Sequence, residues 1–223
     1  MTALYETERF DVATAARAML EAGLVVNTSG NVSVRVGEHV AITPSNFASE
    51  DLKPTDIVVV DLEGNPVDGD LLPSSETGLH LSLYKGDESI GAVVHTHSVY
   101  ATAVSTLVDS LPAIHYQIAN LGGSVPVAPY RTFGTPELAS VVSEAMQGRF
   151  GTLMRNHGAV TVGDTVNNAL RRSITLEWLS RVYLTAQQSG SPSLLDDEEI
   201  ERVKAQQAKF RGEQQRRLKD RTS

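Results

Sequence analysis

Residues Val32–Pro44 read VSVRVGEHVAITP, two short runs of alternating character joined across Gly37. Alternation puts successive side chains on opposite faces of a strand, and two such runs joined through a glycine form a hairpin. A sheet that contains hairpins is at least partly antiparallel. Upstream, Thr7–Ala22 has helical spacing at Phe10, Ala13, Arg17 (through its aliphatic stem) and Leu20, and Gly23 ends the helix. Downstream, DIVVVDL is a further strand that turns at Glu63-Gly64-Asn65. Leu79 and Leu83 lie i, i+4 on a short helix opened by Ser74 or Ser75 as N-cap. The apolar strand Ile90–Val94 runs into His95 and His97, with a helix around Ala101–Leu107 after it. Residues 113–130 read as loop and short strand, and Pro136–Met146 as a helix with proline in its first turn. A second hairpin, GTLMRNHGAVTVG, meets at Asn156-His157-Gly158, and Asn167–Gln188 is a long helix with Leu170, Ile174, Leu179 and Val182 on its apolar side. The expected fold is an α/β domain whose sheet is at least partly antiparallel.

Bulk properties narrow the classes. The chain has 223 residues, 41% hydrophobic and 21% charged, which describes a globular protein with one sizeable core. The expected division is a domain over residues 1–190 and a charged helix or tail over 191–223, acidic at its start (DDEEIE) and basic at its end (RRLKDR). There is no cysteine, so disulfides, a thiolate nucleophile and a cysteine zinc site are excluded; any metal sits on His, Asp or Glu. The start of the chain lacks the pattern of a signal peptide, and no apolar run approaches the roughly 20 residues of a membrane span. A cytoplasmic location with no membrane partner is expected. The net charge of −8 argues against nucleic acid as a partner. It leaves open a small anionic substrate held by local donors.

His95 and His97 carry the strongest chemical signal. Imidazoles at i and i+2 of a strand share a face and can bind one metal ion from a rigid backbone, although two such residues can equally be surface histidines. His157, in the turn of the second hairpin, can complete a facial trio with an exchangeable position, the pattern of a catalytic metal. His39, His80 and His115 read as structural. Glu76 has two readings: a first-turn carboxylate that complements the helix dipole, or a metal ligand and general base. Ser74 and Ser75 at a helix start, the loop Thr28-Ser29-Gly30-Asn31, and Thr43, Ser45 and Asn46 are three small polar loops suited to a phosphate.

In this order and spacing, NTSGNVSVR, ITPS, LPSSE, VVHTHS, PAIHY, APYRTFGT and RNHGAV resemble the class II sugar-phosphate aldolases, the bacterial L-fuculose-1-phosphate aldolases above all, over roughly residues 5–187. The resemblance implies a three-layer α/β/α fold on a central, mainly antiparallel sheet, and a homotetramer with active sites between subunits. It implies zinc (with manganese or cobalt as substitutes) on His95, His97 and His157, joined by Glu76 when substrate is absent. It implies phosphate binding by Thr28, Asn31, Ser45, Asn46, Ser74 and Ser75. Glu76 and Tyr116 would be catalytic and Phe133 would line the substrate pocket, the two aromatics reaching in from a neighbouring subunit. The implied reaction is reversible cleavage of a ketose 1-phosphate, L-fuculose 1-phosphate or a deoxy-pentulose 1-phosphate, to dihydroxyacetone phosphate and an aldehyde. Ribulose-phosphate 4-epimerases and methylthioribulose-phosphate dehydratases share the fold, but Glu76 after two serines and the IHY and NHG segments favour the aldolase; a non-catalytic adducin-like scaffold would lack the ligands present here. Two departures stand out: the family's ITPTG loop reads ITPSN, with Asn46 in place of glycine, and the family's tail tyrosine has no counterpart after Tyr183. Lys53 and Lys85 are the only lysines before the tail and neither has a pocket context, which argues against a Schiff-base mechanism.

Overall fold

A computed structural model describes residues 5–46 and 48–222, with side chains to Arg217. Residues 1–4, Phe47 and Ser223, and the tail's side chains beyond Arg217, lie outside the described residues.

The chain forms α1 (Glu6–Glu21), β1 (Asn31–Val36), β2 (His39–Ile42), β3 (Val58–Asp61), β4 (Pro66–Asp68), α2 (Thr77–Gly86), β5 (Ala92–Thr96), α3 (Val99–Leu107), β6 (Ser110–Leu111), β7 (Val125–Ala128), α4 (Pro136–Met146), β8 (Gly151–Met154), β9 (Gly158–Gly163), α5 (Val166–Ser189) and α6 (Asp197–Thr222). The strands join in the order β4-β3-β2-β1-β5-β9-β8-β7-β6. Among the described residues only the β7–β8 pair is parallel. Both expected hairpins form, with Val36 opposite His39 in one and Met154 opposite Gly158 in the other.

The alternation of the strands builds two apolar faces. Val93, Met154 and Val160 pack under α2 and α4, through Leu79, Leu83, Leu138 and Val142. Val94, Val32 and Ala41 face α1 through Val12, Ala16 and Met19, while Leu153 and Ala159 face α3 and α5 through Ala101, Val104, Leu176 and Leu179. The result is the three-layer α/β/α arrangement with a mainly antiparallel sheet. β5 lies near the middle of the sheet, buried along its whole length. No helix among the described residues is long and apolar enough to cross a membrane.

Three local readings change. In α1 the buried stripe is Val12, Ala13, Ala16 and Met19, while Phe10 is 56% exposed. Small residues at 13 and 16 let the helix sit close to the sheet, and its contact face is rotated away from Phe10. In α5 the buried side is Val166, Ala169, Ser173, Leu176, Leu179 and Tyr183, and Ile174 turns outward. The N-cap of α2 is Glu76, not Ser74 or Ser75, because Ser74 is still in the loop: its Oγ accepts the Glu76 backbone N–H at 3.2 Å. The chain does not leave the core at Ser189. The Leu195 N–H donates to Ala113, Ile200 of α6 is buried beside Leu179 and Tyr183, and Lys204 donates to the Gly122 carbonyl.

Candidate metal centre

His95 is the penultimate residue of β5, fixed between Asn31 of β1 and Val160 of β9. Its ring Nδ1 donates to the Ala159 carbonyl at 3.0 Å, which aims Nε2 the other way. His97 lies just past the strand end, and its backbone N–H is held by the Leu24 carbonyl at 3.0 Å. His157 sits in the β8–β9 turn, after Asn156 in a left-handed conformation (φ 54°). Gly158 closes this turn against β5; a Cβ there would lie 2.1 Å from the Thr96 carbonyl oxygen. Glycine is therefore required for His157 to approach the pair.

The three imidazole centroids are 4.8–5.0 Å apart, each pair edge to face. The His95 and His97 Nε2 atoms are 2.9 Å apart. Glu76 places Oε2 3.0 Å from His95 Nε2 and Oε1 3.4 Å from His157 Nε2. At the N-cap of α2 it makes no capping bond to its own helix, so of the two roles open to it the carboxylate takes the one beside the histidines. All four residues offer a ligand atom within 4.8 Å of one another. Glu76 Oε1 is buried without a hydrogen-bond partner. An orphaned anionic oxygen among converging imidazole nitrogens is what a divalent cation satisfies, and three nitrogens plus one carboxylate suit it.

The electrostatics agree. Burial works to raise the Glu76 pKa, but the His95 and His157 charges and the Asn31 hydrogen bond hold it well below the usual carboxylate range. Burial likewise opposes charge on His95, yet the Glu76 carboxylate and the Ala159 carbonyl raise its pKa. His97 and His157 are pushed down to about 3 and about 4, first by burial and then by the charge on His95. His97 and His157 are thus held neutral and open to a ligand bond, while a cation would take the place of the proton that His95 shares with Glu76.

A cavity of about 340 Å³ opens above the cluster, lined by Glu76, His97, Tyr130, Arg131, Phe133, Asn156 and His157. Phe133 therefore lines the pocket of its own chain, and no neighbouring copy is needed to supply it. Tyr116 does not line the cavity: it begins the 3-10 turn Tyr116–Leu121, 48% exposed, with its ring on His115, which in turn meets Trp178.

None of Thr28, Asn31, Ser45, Asn46, Ser74 or Ser75 lines the cavity, but their loops are tied to its residues or to one another. Asn31 donates its amide to Glu76 Oε2 at 3.1 Å. Ser74 N–H donates to the Thr43 carbonyl and Ser45 N–H to the Leu72 carbonyl, and Pro44 bridges Pro73, which fastens the 43–46 loop to the serine pair. Asn46 takes φ 55°, the left-handed conformation expected of a residue standing for glycine. Ser75 is exposed beside buried Ser74. Thr28 lies at an exposed tip of the loop that Leu24 ties to His97. His80, read as structural, is fully buried and hydrogen-bonded to Asn31. The signal for it was present: Glu76, His80 and Tyr84 recur every four residues along one helical face. Arg131 and Asn156 also line the cavity; both stand inside quoted motifs, APYRTFGT and RNHGAV, although the sequence assigns neither a role.

Comparison with known proteins places this geometry. The family described as class II aldolase and adducin N-terminal domain matches residues 10–184. The chain is 37% identical over 202 residues to a 5-deoxy-D-ribulose 1-phosphate aldolase of Bacillus thuringiensis serovar kurstaki, covering 90% of this chain and 95% of the relative. It is 43% identical over 184 residues to an L-fuculose phosphate aldolase of Escherichia coli K12, covering 82% and 85%. A solved structure of an L-fuculose 1-phosphate aldolase superposes with a TM-score of 0.87 at 38% identity, over 90% of this chain and 95% of the other.

Proposed function

Since the chain belongs to the class II aldolase and adducin N-terminal domain family, we infer that it catalyses the reversible, metal-dependent aldol cleavage of a ketose 1-phosphate to dihydroxyacetone phosphate and an aldehyde. The substrates named for its relatives, 5-deoxyribulose 1-phosphate and L-fuculose phosphate, are the first candidates. One observation carries the reading: three imidazoles and one carboxylate with an unpartnered oxygen surround a single point at the floor of a cavity. A scaffold with no chemistry to perform has no use for that arrangement, since buried unpaired polar atoms cost stability.

His95, His97 and His157 would hold the cation, with zinc the best match to this donor set and manganese or cobalt able to replace it. When bound, it polarises the C2 carbonyl and stabilises the negative charge that develops as the C3–C4 bond breaks. The chain's own residues do the rest. Thr28, Asn31, Ser45, Asn46, Ser74 and Ser75 bind and orient the phosphate through hydroxyls, amides and backbone N–H groups. Glu76, displaced toward C3 by substrate, delivers the proton that completes the hydroxymethyl group of dihydroxyacetone phosphate, and takes it back in the condensation direction. The proton lost from the C4 hydroxyl balances the one gained at C3. Phe133 and Tyr130 wall the aldehyde side of the cavity. Tyr116 would serve the site of another copy in a homotetramer, a reading supported by its exposure on its own chain.

The test is a panel of ketose 1-phosphates incubated with the zinc-reconstituted protein and assayed for dihydroxyacetone phosphate. Release that stops on chelation supports the reading. Conversion of the substrate to an isomeric or dehydrated phosphate without dihydroxyacetone phosphate would assign the site to an epimerase or dehydratase instead.

A further inference from the structure

Behind the metal centre lies a buried polar chain whose inner members, Tyr84, Ser33 and His80, have no part in the reaction above. The Tyr84 hydroxyl is 2.7 Å from Ser33 Oγ, and Ser33 Oγ is 2.7 Å from His80 Nδ1. His80 Nε2 is 2.5 Å from Asn31 Oδ1, and Asn31 Nδ2 reaches Glu76 Oε2 at 3.1 Å. Ser33 and His80 are wholly inaccessible to solvent, Tyr84 nearly so, and Asn31 and Glu76 are buried. Two periodicities produce the contact: Asn31 and Ser33 share a face of β1 at spacing two, while Glu76, His80 and Tyr84 share a face of α2 at spacing four.

The donor directions follow from one end. A carboxylate oxygen only accepts, so the group that Asn31 turns to Glu76 is its NH2, and the atom it turns to His80 is the carbonyl oxygen. That oxygen also only accepts, so His80 carries its proton on Nε2. Burial holds this ring neutral, pushing its pKa down to about 3 with help from the His95 charge. Nδ1 is then bare and accepts from the Ser33 hydroxyl, whose oxygen accepts in turn from Tyr84. Every link has one donor and one acceptor, and reversing any link leaves a buried clash of like groups.

We propose that Tyr84, Ser33 and His80 form a relay that fixes the amide of Asn31 with its NH2 toward Glu76 and the phosphate loops, and that His80 is the positioning residue of this relay. Asparagine is nearly symmetric in shape. The Glu76 carboxylate selects the NH2 while it stays beside Asn31. Once substrate displaces that carboxylate, the His80 contact is what holds the amide in the same orientation. The reversed amide would set a carbonyl oxygen against the Glu76 carboxylate and present an acceptor instead of a donor to a phosphate. The claim about the reaction rests on the aldolase reading above; the claim about orientation does not.

Two measurements separate them. The first is 15N NMR of the histidine rings in the zinc-loaded wild-type protein. His80 is expected to show a protonated Nε2 and a bare Nδ1; a protonated Nδ1 would overturn the relay whatever the protein catalyses. The second is solvent-proton exchange on dihydroxyacetone phosphate. Loss of an orienting partner typically costs about ten- to a hundredfold, and a drop of that size in kcat is expected for His80→Leu and Ser33→Ala with metal content unchanged. His80→Gln, whose amide can donate from the Nε2 position, is expected to recover to within about threefold of wild type. A folded, metal-loaded His80→Leu or Ser33→Ala protein that exchanges at the wild-type rate would overturn the positioning role, as would a His80→Gln protein no better than His80→Leu. Should His80→Leu not fold, Ser33→Ala against His80→Gln carries the comparison. A wild-type protein inert toward dihydroxyacetone phosphate would count against the aldolase reading alone, and the ring measurement would still decide the relay.

Discussion

The two hairpins of the sheet, β1–β2 with a two-residue turn and β8–β9 with a three-residue turn, have opposite fates. The first turns at Gly37, with φ 60° and nothing within 4 Å of where a side chain would stand. The second turns at Asn156-His157-Gly158, where an added Cβ would meet the Thr96 carbonyl oxygen at 2.1 Å. One glycine serves the backbone of a free turn. The other serves the approach of two elements, and that approach carries His157 to His95 and His97. The difference shows that a turn residue, His157, acquires function here because of what the turn packs against.

This contrast can be broken at several points. The largest effect is expected from His95→Ala, which removes the ligand held most rigidly by the ladder. Metal content should fall well below one per chain and turnover by about a thousandfold or more. Glu76→Gln comes next. It should keep its metal and lose proton exchange on dihydroxyacetone phosphate by about a hundredfold or more, as expected for a general base; exchange at the wild-type rate would remove Glu76 from that role. Gly158→Ala should cost about 3 kcal/mol of stability by overpacking and lower metal affinity as the turn backs away from β5, measurable by denaturant unfolding and metal titration. Gly37→Ala should cost only about 1 kcal/mol, for the strained φ alone, and leave turnover unchanged. Equal losses from the two glycine substitutions would dissolve the distinction between the hairpins.

Much of this was readable from residue order, for reasons particular to each element. Alternation about Gly37 places the first hairpin, and the turn residues Asn156-His157-Gly158 between two short runs place the second, whose strands are buried throughout. The metal ligands were readable because His-X-His on a strand is a short-range pattern and His157 stood in a turn. The buried sides of α1 and α5 were misjudged at Phe10 and Ile174, where contact is made instead through alanine and serine, residues that carry little hydrophobic signal. β4 and β6, of three and two residues, were not readable because neither is long enough for alternation to register. Tyr116 shows another limit, since a resemblance names a residue but a single chain does not bring it to the cavity. His80 was passed over because its partners, Asn31 and Ser33, lie nearly fifty residues away, and only the folded sheet sets them against α2.

The central claim is that one cation held by His95, His97 and His157 is required for turnover. Titrating metal-free protein with zinc while following release of dihydroxyacetone phosphate from a ketose 1-phosphate tests it most directly. Activity should rise in proportion to added zinc and stop rising at one equivalent per chain, with no rise for His157→Ala. Full activity in the metal-free protein, or an undiminished zinc-dependent rise in His157→Ala, would contradict it.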